Sequence, residues 1–118
     1  MTDAVSTFFS AWGMADAASR LSAIQGSLAQ NASYMDPRTE ASLSGPQAIA
    51  SYVGMFTEQA PGAVAEVTST DSRGGVTRAT IAFKMPNGME QTGQYFVEYD
   101  KDDRIARMVG FVGTGAAE

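Results

Sequence analysis

The chain has 118 residues, 44% hydrophobic and 18% charged, with 8 scattered Lys and Arg and a formal net charge of −5. That length fits one domain able to bury about two-thirds of its unfolded surface. Cations this dispersed exclude the basic surface that nucleic acid or an anionic membrane requires. Cysteine and histidine are both absent, which excludes disulfides, thiolate nucleophiles, Ser-His-Asp hydrolysis, imidazole bases and the usual sulfur- or imidazole-ligated metals.

Acid–base chemistry is therefore left to carboxylates, tyrosines, lysines and water. The start, Met1-Thr2-Asp3-Ala4-Val5, carries no basic region ahead of an apolar run, so no signal peptide is expected. No stretch approaches about 18 consecutive apolar residues, the length that spans a bilayer. The expectation is a soluble, cytoplasmic protein forming one domain over residues 1–118.

Val5, Phe8, Phe9 and Trp12 fall at i, i+3, i+4 and i+7, the apolar stripe of an amphipathic helix. Gly13 weakens that helix, and Asp16 is placed to cap a second one by accepting an amide hydrogen bond. The second helix is predicted from Ala17 to about Leu28, with Leu21, Ile24 and Leu28 on one face. A short strand over Ala32–Met35 follows and ends at Asp36-Pro37, since proline donates nothing to a ladder. Pro37 also pushes Asp36 toward extended geometry. Pro46 suits the first position of a third helix, which uses Ile49, Tyr52, Val53 and Phe56 on one face and stops before Pro61-Gly62.

Beyond Gly62 the pattern changes to segments rich in β-branched and aromatic residues. Strands are predicted over Ala63–Thr70, Val76–Met85, Met89–Tyr99 and Ile105–Val112. The breaks are Asp71 to Gly75, Pro86-Asn87-Gly88 and Asp100 to Asp103, and Asn87-Gly88 is a strong hairpin signal. Short turns make consecutive strands antiparallel. Helices first and a meander after give an α+β fold, a curved sheet with helices on one face. In the last strand Ile105, Val109 and Phe111 oppose Ala106, Met108, Gly110 and Val112, so both faces are apolar apart from Arg107. A strand apolar on both faces in so small a domain predicts that the outer sheet face meets a second copy.

The order of these elements resembles the nuclear transport factor 2-like superfamily, especially its SnoaL-like and ketosteroid isomerase-like branches. The marks that carry the resemblance are Trp12-x3-Asp16, Tyr34-Met35-Asp36-Pro37, Gly45-Pro46-Gln47-Ala48-Ile49, Pro61-Gly62, Asn87-Gly88 and Asp103-Arg104-Ile105. They cover about Val5 to Gly113. The resemblance implies a cone: a bent, mostly antiparallel mixed sheet on three helices, enclosing an apolar pocket and commonly paired as a homodimer. Ketosteroid isomerases carry an Asp general base in an Asp-Pro step, which corresponds to Asp36. Their helix-one tyrosine falls at Phe8, which has no hydroxyl, and their protonated strand Asp falls at Tyr95.

Asp36 and Tyr95 are accordingly the candidate catalytic pair, a base beside a substrate carbonyl and a donor to its oxygen. A carboxyl desolvated at an apolar wall abstracts protons more effectively, and a buried hydroxyl aimed at nascent negative charge stabilises it. The alternatives are a turn-capping Asp before Pro37 and a core tyrosine with a satisfied hydroxyl. Phe8, Trp12, Met35, Tyr52 and Phe56 are expected around the cavity. Met85, Met108 and Val112 are expected there too, with Tyr99 on the same strand face as Tyr95. Such chemistry needs no cofactor, and the expected partner is a small hydrophobic ligand or substrate. Alternation puts Arg78 and Arg107 on the outer face. Asp100, Asp102 and Asp103 lack the glycine and distal Glu of a calcium loop and read as a solvated turn, so no metal is expected.

Overall fold

The structure is a computed structural model and describes residues 3–113. Asp3 opens the first helix by accepting the Ser6 amide at 2.8 Å, giving α1 (Ala4–Ser10) and then a single 3-10 turn through Ala11–Gly13. Val5, Phe8, Phe9 and Trp12 are all buried, as their spacing predicts. Asp16 caps α2 (Ala17–Ser27) with bonds from the Ser19 amide at 2.8 Å and the Ser19 hydroxyl at 2.7 Å.

The predicted boundary after α2 is displaced. Leu28 is the first residue of a strand, β1 (Leu28–Met35), so the expected short strand is the second half of a longer one. Leu28, Ala29, Ala32 and Tyr34 are all buried, and their burial draws the chain directly from helix into sheet. A two-residue strand that the sequence reading omits, β2 (Leu43–Ser44), pairs with it before α3 (Pro46–Gln59) begins.

The remaining strands are β3 (Val64–Arg73), β4 (Val76–Lys84), β5 (Glu90–Tyr99) and β6 (Ile105–Val112). The strand order is β2-β1-β6-β5-β4-β3, with β1 and β6 parallel and every other neighbour antiparallel. β3 runs past its expected end because Asp71, Ser72 and Arg73 pair with Arg78, Thr77 and Val76. The turn shrinks to Gly74-Gly75, whose φ angles of 58° and 83° are those a tight two-residue hairpin needs.

Three irregularities curve the sheet. Pairing shifts register between Leu28 and Ser33, between Val67 and Ser69, and between Glu98 and Tyr99, and an extra residue bends and twists a strand locally. The last one corrects the alternation expected in β6. Tyr99 faces Ile105 while Glu98 faces Arg107, so Ala106 is the extra residue and Ile105 shares the interior with Met108. Phe111 and Phe96 stay on the outer face, 54% and 40% exposed. Arg78 and Arg107 also face outward, 3.4 Å from Asp71 and Glu98. Among the described residues no helix is long and apolar enough to cross a membrane.

Candidate functional site

β1 sets the site by simple alternation. Ala32, Tyr34 and Asp36 lie on one face of an extended chain, so the two inward neighbours of the core deliver a phenol and then a carboxylate. Pro37 turns the chain at once. The Asp36 Oδ1 accepts the backbone amides of Arg38 at 2.9 Å and Thr39 at 3.2 Å, while the Asp36 amide donates to Thr39 Oγ1 at 3.1 Å. The turn-capping role foreseen for an Asp-Pro step is thus present.

Two tyrosines complete the carboxylate's surroundings. The Tyr34 hydroxyl donates to Oδ2 at 2.7 Å, and the Tyr52 hydroxyl, arriving from α3, lies 2.8 Å from Oδ1 and 2.7 Å from Oδ2. Every partner is a donor, the set that suits an ionised carboxylate. Asp36 is 7% exposed. The Tyr34 and Tyr95 hydroxyls are 3.4 Å apart. Tyr34 has one hydroxyl proton, and the shorter bond commits it to Asp36. Tyr95's own proton is therefore free for Tyr34's oxygen or for a molecule in the cavity.

Burial dominates the tyrosines' acidity. Desolvation pushes the Tyr34 phenol well above its usual range, with the nearby Tyr95 and Asp36 adding to it. Tyr52 and Tyr95 are also raised, chiefly by desolvation. All three stay protonated at neutral pH and act as hydrogen-bond donors rather than as acids.

Tyr95 is held by its strand neighbours. It pairs with Gly110 across β5 and β6, and a Cβ built on Gly110 would stand 2.7 Å from Cζ of the Tyr95 ring. One on Gly93 would stand 3.2 Å from Cε1. The ring lies flat over a gap that glycine alone leaves open.

Asp36, Tyr52, Gly93 and Tyr95 border a cavity of about 80 Å³. Trp12, Tyr52, Phe56, Phe83 and Tyr95 give it an aromatic wall, Asp36 the one carboxylate, and Phe111 and Val112 an exposed lip. It is well below the roughly 300–1,000 Å³ of pockets for drug-sized ligands. A compact molecule fits it, or the compact end of a longer one reaching past the lip.

Of the expected wall, Trp12, Tyr52, Phe56 and Val112 line this cavity beside Asp36 and Tyr95. Phe8 and Met108 do not: both are fully packed in the core, Phe8 behind Trp12 and Tyr34. Met35 is 40% exposed, because alternation that turns Tyr34 inward turns its neighbour outward. Met85 packs against the core just beyond β4 and does not line the cavity. Tyr99 shares Tyr95's face but lies four residues on, roughly 13 Å along a strand, beside Thr77. The sequence reading missed Tyr34, Phe83 and Arg38. Period two from Asp36 would have found Tyr34, and the inward row Ala79, Ile81, Phe83 ends at the cavity.

One buried polar atom among the described residues has no partner, the indole nitrogen of Trp12. Its surroundings are aromatic rings, with Phe56 at 4.9 Å and Phe83 at 5.5 Å between centroids. The acidic turn binds its own backbone, Asp100 Oδ1 accepting the amides of Asp102 and Arg104.

No protein-family model matches the chain, and no curated protein matches it either. Solved structures do. A proposed isomerase of the SnoaL-like family from Agrobacterium tumefaciens is 26% identical, with a TM-score of 0.84 over 94% of this chain and 95% of that one. A protein with a ketosteroid isomerase-like fold from Catenulispora acidiphila, solved with trimethylamine, is 12% identical, with a TM-score of 0.74 over 96% and 87%. A proposed ketosteroid isomerase from Kribbella flavida is 16% identical, with a TM-score of 0.69 over 98% and 78%. With three helices on a curved, unclosed mixed sheet shared nearly end to end with these proteins, the chain belongs to the nuclear transport factor 2-like superfamily, beside its SnoaL-like and ketosteroid isomerase-like proteins.

Proposed function

We propose that the chain is a cofactor-independent enzyme of the isomerase, cyclase or dehydratase kind, acting on a compact carbonyl compound. The observation that supports this most is that Asp36 and Tyr95 border one largely aromatic cavity, with the Tyr34 hydroxyl bonded to the Asp36 carboxylate and 3.4 Å from the Tyr95 hydroxyl. Asp36 takes a proton from the carbon beside the carbonyl, and the C–H electron pair moves onto the carbonyl oxygen. Tyr95 donates a hydrogen bond to that oxygen as its charge develops. Asp36 then returns the proton to another carbon, or to a departing oxygen. Tyr34 and Tyr52 hold the carboxyl in place through both protonation states.

A steroid nucleus exceeds the cavity of about 80 Å³, which suits a compact substrate or the compact end of a longer one. The second reading is a ligand-binding module without catalysis, and one observation favours it. Both Asp36 oxygens already accept bonds from the chain itself, as a purely structural carboxylate would. Cyclopentanone in deuterium oxide separates the two. Deuterium uptake by the ketone, lost with Asp36→Asn, supports the enzyme. Quenching of the single Trp12 by the ketone, without uptake, supports the module.

A further inference from the structure

Among the residues that border the cavity, Arg38 is the one cation. It follows Pro37 directly, and its backbone amide is tied to Asp36 Oδ1 at 2.9 Å, so its origin is fixed against the carboxylate. Its side chain is exposed at the mouth. The described ion pairs go elsewhere: Arg78 to Asp71, Lys84 to Glu66, Arg107 to Glu98. A chain with 13 acidic residues against 8 basic ones offers many partners. Arg38 nevertheless forms no salt bridge with any described residue, even with Asp36 two residues away. Its guanidinium still reaches the site electrostatically, opposing the rise in pKa that burial imposes on Tyr52 and Tyr95.

A guanidinium outside the described ion pairs, on a residue that borders a largely aromatic cavity, selects for an anionic group. Guanidinium forms paired, charge-assisted bonds to carboxylate or phosphate oxygens, and its planar fork sets their orientation. Beside it Gln91 and Thr92 give the mouth further polar atoms. A molecule carrying its carbonyl inward to Tyr95 and its anion outward to Arg38 satisfies both ends.

We infer that the substrate is a compact carbonyl acid, and that Arg38 is the residue selecting its anionic group. This rests on the carbonyl site proposed above. The experiment compares 2-oxobutanoate with pentane-2,3-dione, which replaces the carboxylate by an acetyl group of like shape. Binding is measured by calorimetry for the wild type, Arg38→Gln and Arg38→Lys. The expected result is at least a tenfold preference for 2-oxobutanoate in the wild type, shrinking as salt is raised. Arg38→Gln abolishes that preference by weakening only the acid, and Arg38→Lys keeps part of it. Because Arg38 is exposed, the variants are expected to fold. Equal binding of acid and dione by the wild type, or an undiminished preference in Arg38→Gln, would overturn the inference and leave the carbonyl site standing. Failure of the wild type to bind either compound would overturn both.

Discussion

Asp36 serves two tasks with one carboxylate: it caps its own turn and receives two phenols. Removing a donor therefore leaves a buried charge short of a bond. Tyr34→Phe is expected to cost about 1.5–3 kcal/mol, the usual range for a hydrogen bond to a charged group. Urea unfolding of the variant checks this, and a loss near zero would mean that Tyr52 alone satisfies the carboxylate. Trp12 presents the opposite case. Its indole N–H is buried without a partner, so Trp12→Phe keeps the ring contacts and discards an unmet donor. Its destabilisation should be well below the roughly 3–5 kcal/mol expected of Trp12→Ala, and similar losses for the two variants would contradict this. Asp36 was legible because an Asp-Pro step restricts the backbone and falls in a run that resembles a family motif. Tyr34 is less legible, because the sequence marks only the end of β1 as strand and its inward face shows once the strand runs from Leu28 to Met35.

At the level of the element, the pairing of β5 with β6 is what aims Tyr95. Its ring occupies the space above Gly110, so Gly110→Ala forces it to move or the strands to part. Overpacking of this kind costs about 1–3 kcal/mol. If the ring moves, deuterium uptake should fall along with stability. A stable Gly110→Ala chain with unchanged activity would show that Tyr95 has no fixed role. The helices were readable because four apolar residues of α1 follow a 3.6-residue period and Asp16 sits where a cap must. β6 was readable in extent but not in facing, because Ala106 is an extra residue opposite the partner strand and shifts the alternation by one. Nothing in the local sequence marks that bulge. It shows only in the pairing of β6 with β5.

Across the whole molecule, all four tyrosines have raised pKa values, each chiefly through burial. A phenol whose folded value lies above its unfolded value near 10 adds stability that is complete below that pH. The contribution is lost as pH rises from there toward the folded values. The folded chain should thus show no phenolate absorbance step near pH 10 from Tyr34, Tyr52 or Tyr95, whose ionisation should coincide with alkaline unfolding. A clean step with the fold intact would contradict the buried network. The outer sheet face carries Phe96 and Phe111 in edge-to-face contact at 5.7 Å between centroids, both well exposed. We propose that it pairs with a second copy. Sedimentation at micromolar concentration should give a dimer, and Phe96→Glu a monomer; a wild-type monomer would refute the pairing.

The fold could be read from periodicity and turn chemistry because each element carries its own signal. The cavity could be read only in part, since its wall is assembled from the ends of elements far apart in sequence. The central claim is that Asp36 moves a proton in that cavity. The most direct test is the rate at which cyclopentanone takes up deuterium beside its carbonyl with wild-type chain and with Asp36→Asn. A drop of about a hundredfold or more in the variant, with ketone binding retained, is the predicted result. Equal rates in the two chains, with the ketone bound by both, would contradict it.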